Sequence, residues 1–139
     1  MSLNNIFDIS GSALVAETRR LTTSASNMTN ANIVTGNPDD TYRAQYPVFT
    51  AVQEQAQQGM SQNKPGVQVS DVYESELDPV KRYEPGNPMA DQDGFVYAPN
   101  INTVAEMANI ISAARSYEMD VNVLHTAKQL IQQTLQLGD

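Results

Sequence analysis

The chain has 139 residues with sixteen Asp and Glu, eight Lys and Arg, one His and no Cys. The length suits one domain or two small ones. A net charge of −8 argues against nucleic acid, which calls for clustered cations. The lack of cysteine excludes disulfides, thiolate metal sites and thiol nucleophiles.

From Ile6 onward Phe7, Leu14, Leu21 and Met28 recur every seven residues, supported by Ala13, Ala25 and Ala31. This spacing predicts a helix to about Asn32, ended by Gly36-Asn37-Pro38. Nine of the fifteen residues 18–32 are Ser, Thr or Asn, and only Arg19 and Arg20 are charged. Such residues are mediocre helix formers. Their uncharged face, including Asn27 and Asn30, suits hydrogen bonding across a crowded interface. The helix is expected to be marginal alone and ordered by its neighbours.

Residues 36–99 hold all seven prolines, five of the seven glycines, and ten acids against four bases. Tyr42, Ala44, Tyr46 and Val48 alternate, and an apolar run continues to Val52, predicting a strand that Pro47 places at an edge. Residues 53–63 are Gln-rich and read as a loop. Val67, Val69, Val72 and Tyr73 predict a second strand with a bulge, and residues 80–83 and 95–97 are short strand candidates. The middle is therefore a small antiparallel sheet or long hairpin.

The C-terminal run from Thr103 to Leu137 carries the strongest pattern. Met107, Ile110, Ala114, Tyr117, Val121, Leu124, Lys128, Ile131 and Leu135 follow 3-4 spacing, with Lys128 the one charged member. That is the seam of a coiled coil or a long amphipathic helix, about 50 Å in length at the helical rise. Thr103 and Glu106 fit a capping box, and Gly138 marks the stop. Met119, Val123, Ala127, Leu130 and Leu137 form a second stripe roughly 130° round from the seam. One partner helix buries one seam, so this helix is expected to have more than one neighbour. The alternative is that the second stripe packs on the chain's own middle region.

The expected fold is mainly α with a small β region. Long N- and C-terminal helices (residues 1–35 and 100–139) form an antiparallel or bundled coiled coil, and the Pro/Gly-rich β region (residues 36–99) lies between them. Chemistry is sparse. Asp91, Asp93 and Gly94 miss the EF-hand pattern because Met89 stands where its first carboxylate belongs, so an Asp-Gly turn is expected. His125 has no second His or nearby carboxylate and is read as a helix-packing residue. No Gly-rich phosphate loop occurs. No catalytic residue, cofactor or metal is expected. The longest apolar run falls short of a membrane-spanning helix, and the N-terminus lacks the features of a cleaved signal peptide.

Both ends carry a family pattern. Ser12-Ala13-Leu14, Arg20-Leu21, the run from Ala25 through Asn32 and Thr35-Gly36, together with Glu106-Met107 and Ala114-Arg115-Ser116-Tyr117-Glu118, resemble the terminal signatures of flagellar axial proteins, the rod and hook family. The segment from Tyr83 to Asp91, then Gly94-Phe95-Val96 and Pro99-Asn100-Ile101, is similar to proximal-rod members. Met28 and Thr29 depart from the Leu and Ala usual there. The resemblance covers nearly the whole chain, most weakly residues 50–75.

The resemblance implies a structural subunit of the bacterial flagellar rod, with both terminal helices in an inner tube and the middle facing outward or toward neighbours. Implied partners are copies of itself, proximal and distal rod proteins, the type III export apparatus during secretion, and the adaptor between rod and membrane ring. The implied location is the basal-body rod in the periplasm, reached without a cleaved signal. The competing readings are a soluble helical adaptor with a β-arm, which would melt cooperatively as a compact monomer or dimer, and an enzyme using Asp91 or Asp93. Leu124 sits at the centre of the seam, so Leu124→Asp is expected to block rod assembly and motility without abolishing expression. A motile strain carrying it would remove the seam assignment.

Overall fold

The computed structural model describes residues 3–52 and 65–137. The Gln-rich segment and the Gly138 stop signal therefore lie outside the described residues. In chain order the elements are α1 (Leu3–Asn30), a single 3-10 turn (Pro38–Asp40), β1 (Gln45–Val52), β2 (Gly66–Glu74), β3 (Val80–Tyr83), β4 (Phe95–Ala98) and α2 (Thr103–Leu137). Two long terminal helices thus enclose two small antiparallel hairpins, β1–β2 and β3–β4.

The polar face of α1 differs from its expected role. Thr18, Thr22, Thr23 and Thr29 donate their hydroxyls to carbonyls four residues back, and the Asn30 amide does the same to Ser26. A short side chain reaches the i−4 carbonyl without leaving the helix, so these groups are satisfied within α1 rather than across an interface. The helix ends at Asn30, a little before the expected boundary. Beyond it, Thr35 exchanges both backbone hydrogen bonds with Tyr97 at 2.9 and 2.8 Å, which adds a single bridge to the outer edge of β4.

The β1–β2 arm follows the sequence closely. Val48 pairs with Asp71 and Phe49 with Val69, leaving Ser70 as an extra residue, so the bulge lies on the second strand. Pro47 sits opposite Val72 in a two-stranded sheet, where either strand is an edge. Side chains of α1 tie the arm down at two places. Near its C-terminus the Asn27 amide donates to Gln45 O and accepts from Gln45 N, each at 2.9 Å. Its oxygen also accepts from the Tyr42 hydroxyl at 2.9 Å. One side chain thereby does what a neighbouring strand would do for Gln45. Further toward the N-terminus of α1, Ser12 Oγ accepts from Val67 N at 2.9 Å.

In the β3–β4 hairpin, Asp91 organises the expected Asp-Gly turn. Its Oδ1 accepts from the backbone N–H groups of Asp93 and Phe95, and its Oδ2 from the Tyr97 hydroxyl. The Phe95 N–H chiefly holds this carboxyl below the ordinary Asp range. Gly94 takes the left-handed conformation (φ 80°) that the turn requires. Lys81 Nζ lies 3.9 Å from the centre of the Phe95 ring, and Tyr83 meets that ring edge-on.

The start of α2 corrects the predicted cap. Asn102, not Thr103, caps the helix, its Oδ1 accepting from the N–H groups of Val104 and Ala105. Glu106 lies one position beyond the place a capping box needs and is buried. The buried residues near the ends of the two helices are linked by the Thr35–Tyr97 bridge to β4 and by Glu106 of α2 beside Tyr46 of β1. They include Ala31, Thr41, Ala44, Ser75, Val96, Ala98 and Glu106. Val96 is the largest apolar side chain that is fully enclosed.

Gly36 lies close against the β3–β4 loop, because a Cβ there would lie 2.6 Å from the Met89 carbonyl oxygen. A backbone atom cannot swing aside as a side chain can. Gly36→Ala is therefore expected to destabilise the chain by about 1–3 kcal/mol, the usual cost of overpacking, measured as a lowered denaturant midpoint. An unchanged midpoint would show that this contact is not close.

Candidate assembly interface

The two helices run antiparallel. Ile6 shares a groove with Val123, Ala127 and Leu130, whereas Leu14, Val15, Thr18 and Thr22 share one with Tyr117. Rising positions on α1 thus meet falling positions on α2. The fully buried residues of the two helices are small or polar: Ser10, Ala16, Thr23, Ser24 and Asn27 on α1, and Glu106, Ala113 and Ala127 on α2. Ile110, Leu124 and Ile131 are half-buried along the same contact line.

The contact between the helices therefore falls between the two stripes read from the sequence. Glu106, Ala113 and Ala127 take the heptad places expected for Met107, Ala114 and Lys128, a rotation of one residue toward the second stripe. Of the seam, Ile110, Ala114, Leu124 and Ile131 are half-buried, while Met107, Tyr117, Val121 and Leu135 are exposed, Leu135 at 68%. Of the second stripe, Met119, Val123 and Leu130 are exposed, Met119 at 61%. Ala127 instead belongs to the contact with α1. The described part of the middle region leaves Met119, Val123 and Leu130 uncovered. Each flank of the helix pair carries an uncovered apolar groove: one of about 470 Å³ beside Tyr117 and one of about 320 Å³ beside Val123 and Leu130.

On α1, Phe7, Leu14, Leu21 and Met28 are half-buried, as is Asn30. Asn27 is wholly buried and turned toward the arm, so in this chain it serves an internal contact and not an outward one. His125 is exposed on α2, which corrects its reading as a packing residue. Outward apolar side chains that sequence reasoning passed over are Val15, Val104 and Ile111. Val15 and Ile111 adjoin predicted seam members, and a seam drawn one residue wider would have included them. The arm adds Val48, Phe49 and Tyr73 to the open apolar surface.

Glu106 is 2% exposed and its Oε2 has no hydrogen-bond partner among the described residues. It lies beside Tyr46 of the arm. Partial burial, followed by this carboxylate, pushes the Tyr46 phenol above its ordinary value. The first turn of a helix favours a negative charge, which helps to hold the carboxylate in an enclosed place. No helix among the described residues is long and apolar enough to cross a membrane.

Residues 92–137 match the family described as flagellar basal body rod FlgEFG protein C-terminal. This match, over the C-terminal third of the chain, points to the class of flagellar basal-body rod proteins, which are structural and not enzymes. Full-length relatives narrow the assignment. The chain is 46% identical over 138 residues to the flagellar basal-body rod protein FlgC of Salmonella typhimurium, with 99% of each chain covered. It is 49% identical to FlgC of Escherichia coli O157:H7 over the same length and coverage. FlgC of Buchnera aphidicola subsp. Acyrthosiphon pisum is 36% identical over 141 residues, covering 100% of both chains. The chain belongs to the FlgC family of flagellar basal-body rod proteins.

A raised phenol pKa means that the neutral Tyr46 is favoured in the folded chain. Its contribution is complete below the ordinary tyrosine range and is lost as pH rises and the phenol ionises. Glu106→Gln is expected to move the Tyr46 titration back toward, but not fully to, the ordinary value, because burial is the larger cause. Carbon-13 NMR of labelled tyrosines reads this directly. An unmoved titration would separate Glu106 from Tyr46.

Proposed function

We propose that this rod subunit polymerises through the two flanks of its helix pair, joining copies of itself and other proximal and distal rod proteins into a torque-transmitting shaft. One observation carries the reading: alanines fill the interior while Met107, Met119, Val123, Leu130 and Leu135 face outward. Burying one such side chain stabilises by about 1.5–3 kcal/mol, and a single chain leaves that gain unused on both flanks.

The flanks are unlike. One presents Leu14, Val15 and Tyr117, and the other Ile6, Val123 and Leu130. A two-fold contact joins like to like and leaves the other flank open. A head-to-tail contact joins unlike flanks and repeats, which yields an open helical polymer. Helices packed side by side in this way form an inner tube of residues 1–35 and 100–139, and interdigitated side chains resist slip under torque. Residues 36–99, with net charge −6 from ten acids and four bases, face outward toward neighbours and the adaptor to the membrane ring.

Delivery to the periplasm runs through the flagellar type III apparatus as an unfolded chain. The absence of cysteine and a helix contact built of small side chains both suit a polypeptide that must unfold and cross an oxidising space.

Val121→Asp on one flank and Leu130→Asp on the other change exposed side chains, so each purified variant should keep the parent's helical content by circular dichroism. Each should abolish rod completion and motility in complemented cells. Wild-type swimming by the double variant would overturn the proposal.

A further inference from the structure

The segment that leaves the arm after β2 is turned inside out. Ser75 is buried, while Leu77, two residues on, is 60% exposed. Glu76 and Asp78 on either side of that leucine are exposed as well. Hydrogen bonds at both ends enforce this arrangement. Ser75 N donates to Ala44 O at 2.8 Å, Ser75 O accepts from Arg43 at 3.2 Å, and Ser75 Oγ accepts from Leu77 N at 3.4 Å. Asp78 O accepts from Asn100 Nδ2 at 3.3 Å, and Pro79 favours an extended Asp78. A leucine between two carboxylates is thus presented as a fixed knob, so little order is lost when something covers it.

The outward side of α2 has the complementary character. Ile111 and Met119 are 50% and 61% exposed, and Arg115, one turn from each, is exposed between them. Ala108 and Ser112 are small enough to leave a groove of about 470 Å³ beside these side chains. At about 100° per residue, Ile111 and Arg115 fall on the side of α2 opposite the buried Ala113, so the groove faces away from α1. The ion pairs among the described residues are Arg20–Glu17 and Arg82–Glu84, which leaves Arg115, Glu76 and Asp78 without one.

A chain cannot fill its own groove. Asp78 is held at Asn100, just before α2, whereas Arg115 lies twelve residues beyond the first residue of that helix, Thr103, or about 18 Å along it. We propose that the Glu76-Leu77-Asp78 knob of one copy seats in the Ile111, Arg115 and Met119 groove of a second copy, Leu77 covering the apolar walls and the carboxylates meeting the guanidinium. The paired charges fix which surfaces meet and in what register. Knob and groove are different surfaces, so the contact is head-to-tail and can repeat. The proposal rests on the reading of the chain as a polymerising subunit and adds a third surface to it, with the partner segment named.

The chain has no cysteine, so introduced pairs can be cross-linked cleanly. In cells complemented with the Leu77→Cys, Met119→Cys double variant, a short bismaleimide applied to isolated basal bodies should give covalent multimers of this chain, absent from either single variant. Arg115→Glu and Glu76→Arg should each reduce swimming-halo diameter at least twofold, and the two together should restore most of it. All four side chains are exposed, so each purified variant should keep the parent's circular dichroism. Motile double-cysteine cells whose basal bodies yield no cross-link, or a cross-link only to a different protein, would overturn the proposal. A charge-swapped pair that swims no better than its single variants would do the same, and this swap decides alone if the double-cysteine strain is non-motile. Polymerisation through the flanks is read separately by Val121→Asp and Leu130→Asp, and swimming by those variants would leave the cross-link result standing.

Discussion

The architecture depends on a contact between two long helices that encloses few large side chains. On α2 the fully buried residues are Glu106, Ala113 and Ala127, while Ile110, Leu124 and Ile131 beside them are only half-buried. The result is a pair whose large apolar side chains stand open along both sides. In an ordinary small globular protein the large aliphatic side chains meet at the centre and supply most of the stability. Here Val96 is the largest apolar residue wholly enclosed, while Met107, Met119, Leu130 and Leu135 are exposed. An arrangement of that kind is at odds with life as a solitary monomer and in keeping with a rod subunit.

The arm has a structural duty that its edge strands alone do not suggest. Asn27 lends Gln45 the hydrogen bonds of an absent strand, and Ser12 does part of the same for Val67. Two-stranded hairpins are marginal in water without something to pack on, and α1 supplies that support. The support is mutual, because a helix rich in Ser, Thr and Asn gains order from the hairpin that crosses it.

Periodicity made the two long helices and the four strands legible, and the Val69-to-Val72 spacing even placed the bulge on β2. What the seam pattern could not show was which apolar line faces α1. Large side chains score strongly in any heptad, so the pattern picks out Met107, Tyr117 and Val121, whereas the residues enclosed against α1 include the small Ala113 and Ala127. The two stripes read from the sequence flank the line of α2 that meets α1. Asn27 was legible as part of a signature and not as a backbone clamp, since its partner lies eighteen residues away. The cap at Asn102 was missed because Thr103 and Glu106 imitate a capping box one position late.

The hydroxyls that the exposed Thr18, Thr22 and Thr29 return to their own helix have an effect beyond local satisfaction. A wall whose polar groups are already engaged asks for no particular donor or acceptor opposite it. Whatever lies alongside can shift by a turn, or be replaced by a chain of different sequence, and leave no bond orphaned. Such indifference is useful at a junction between dissimilar components, where one surface must be content with more than one neighbour.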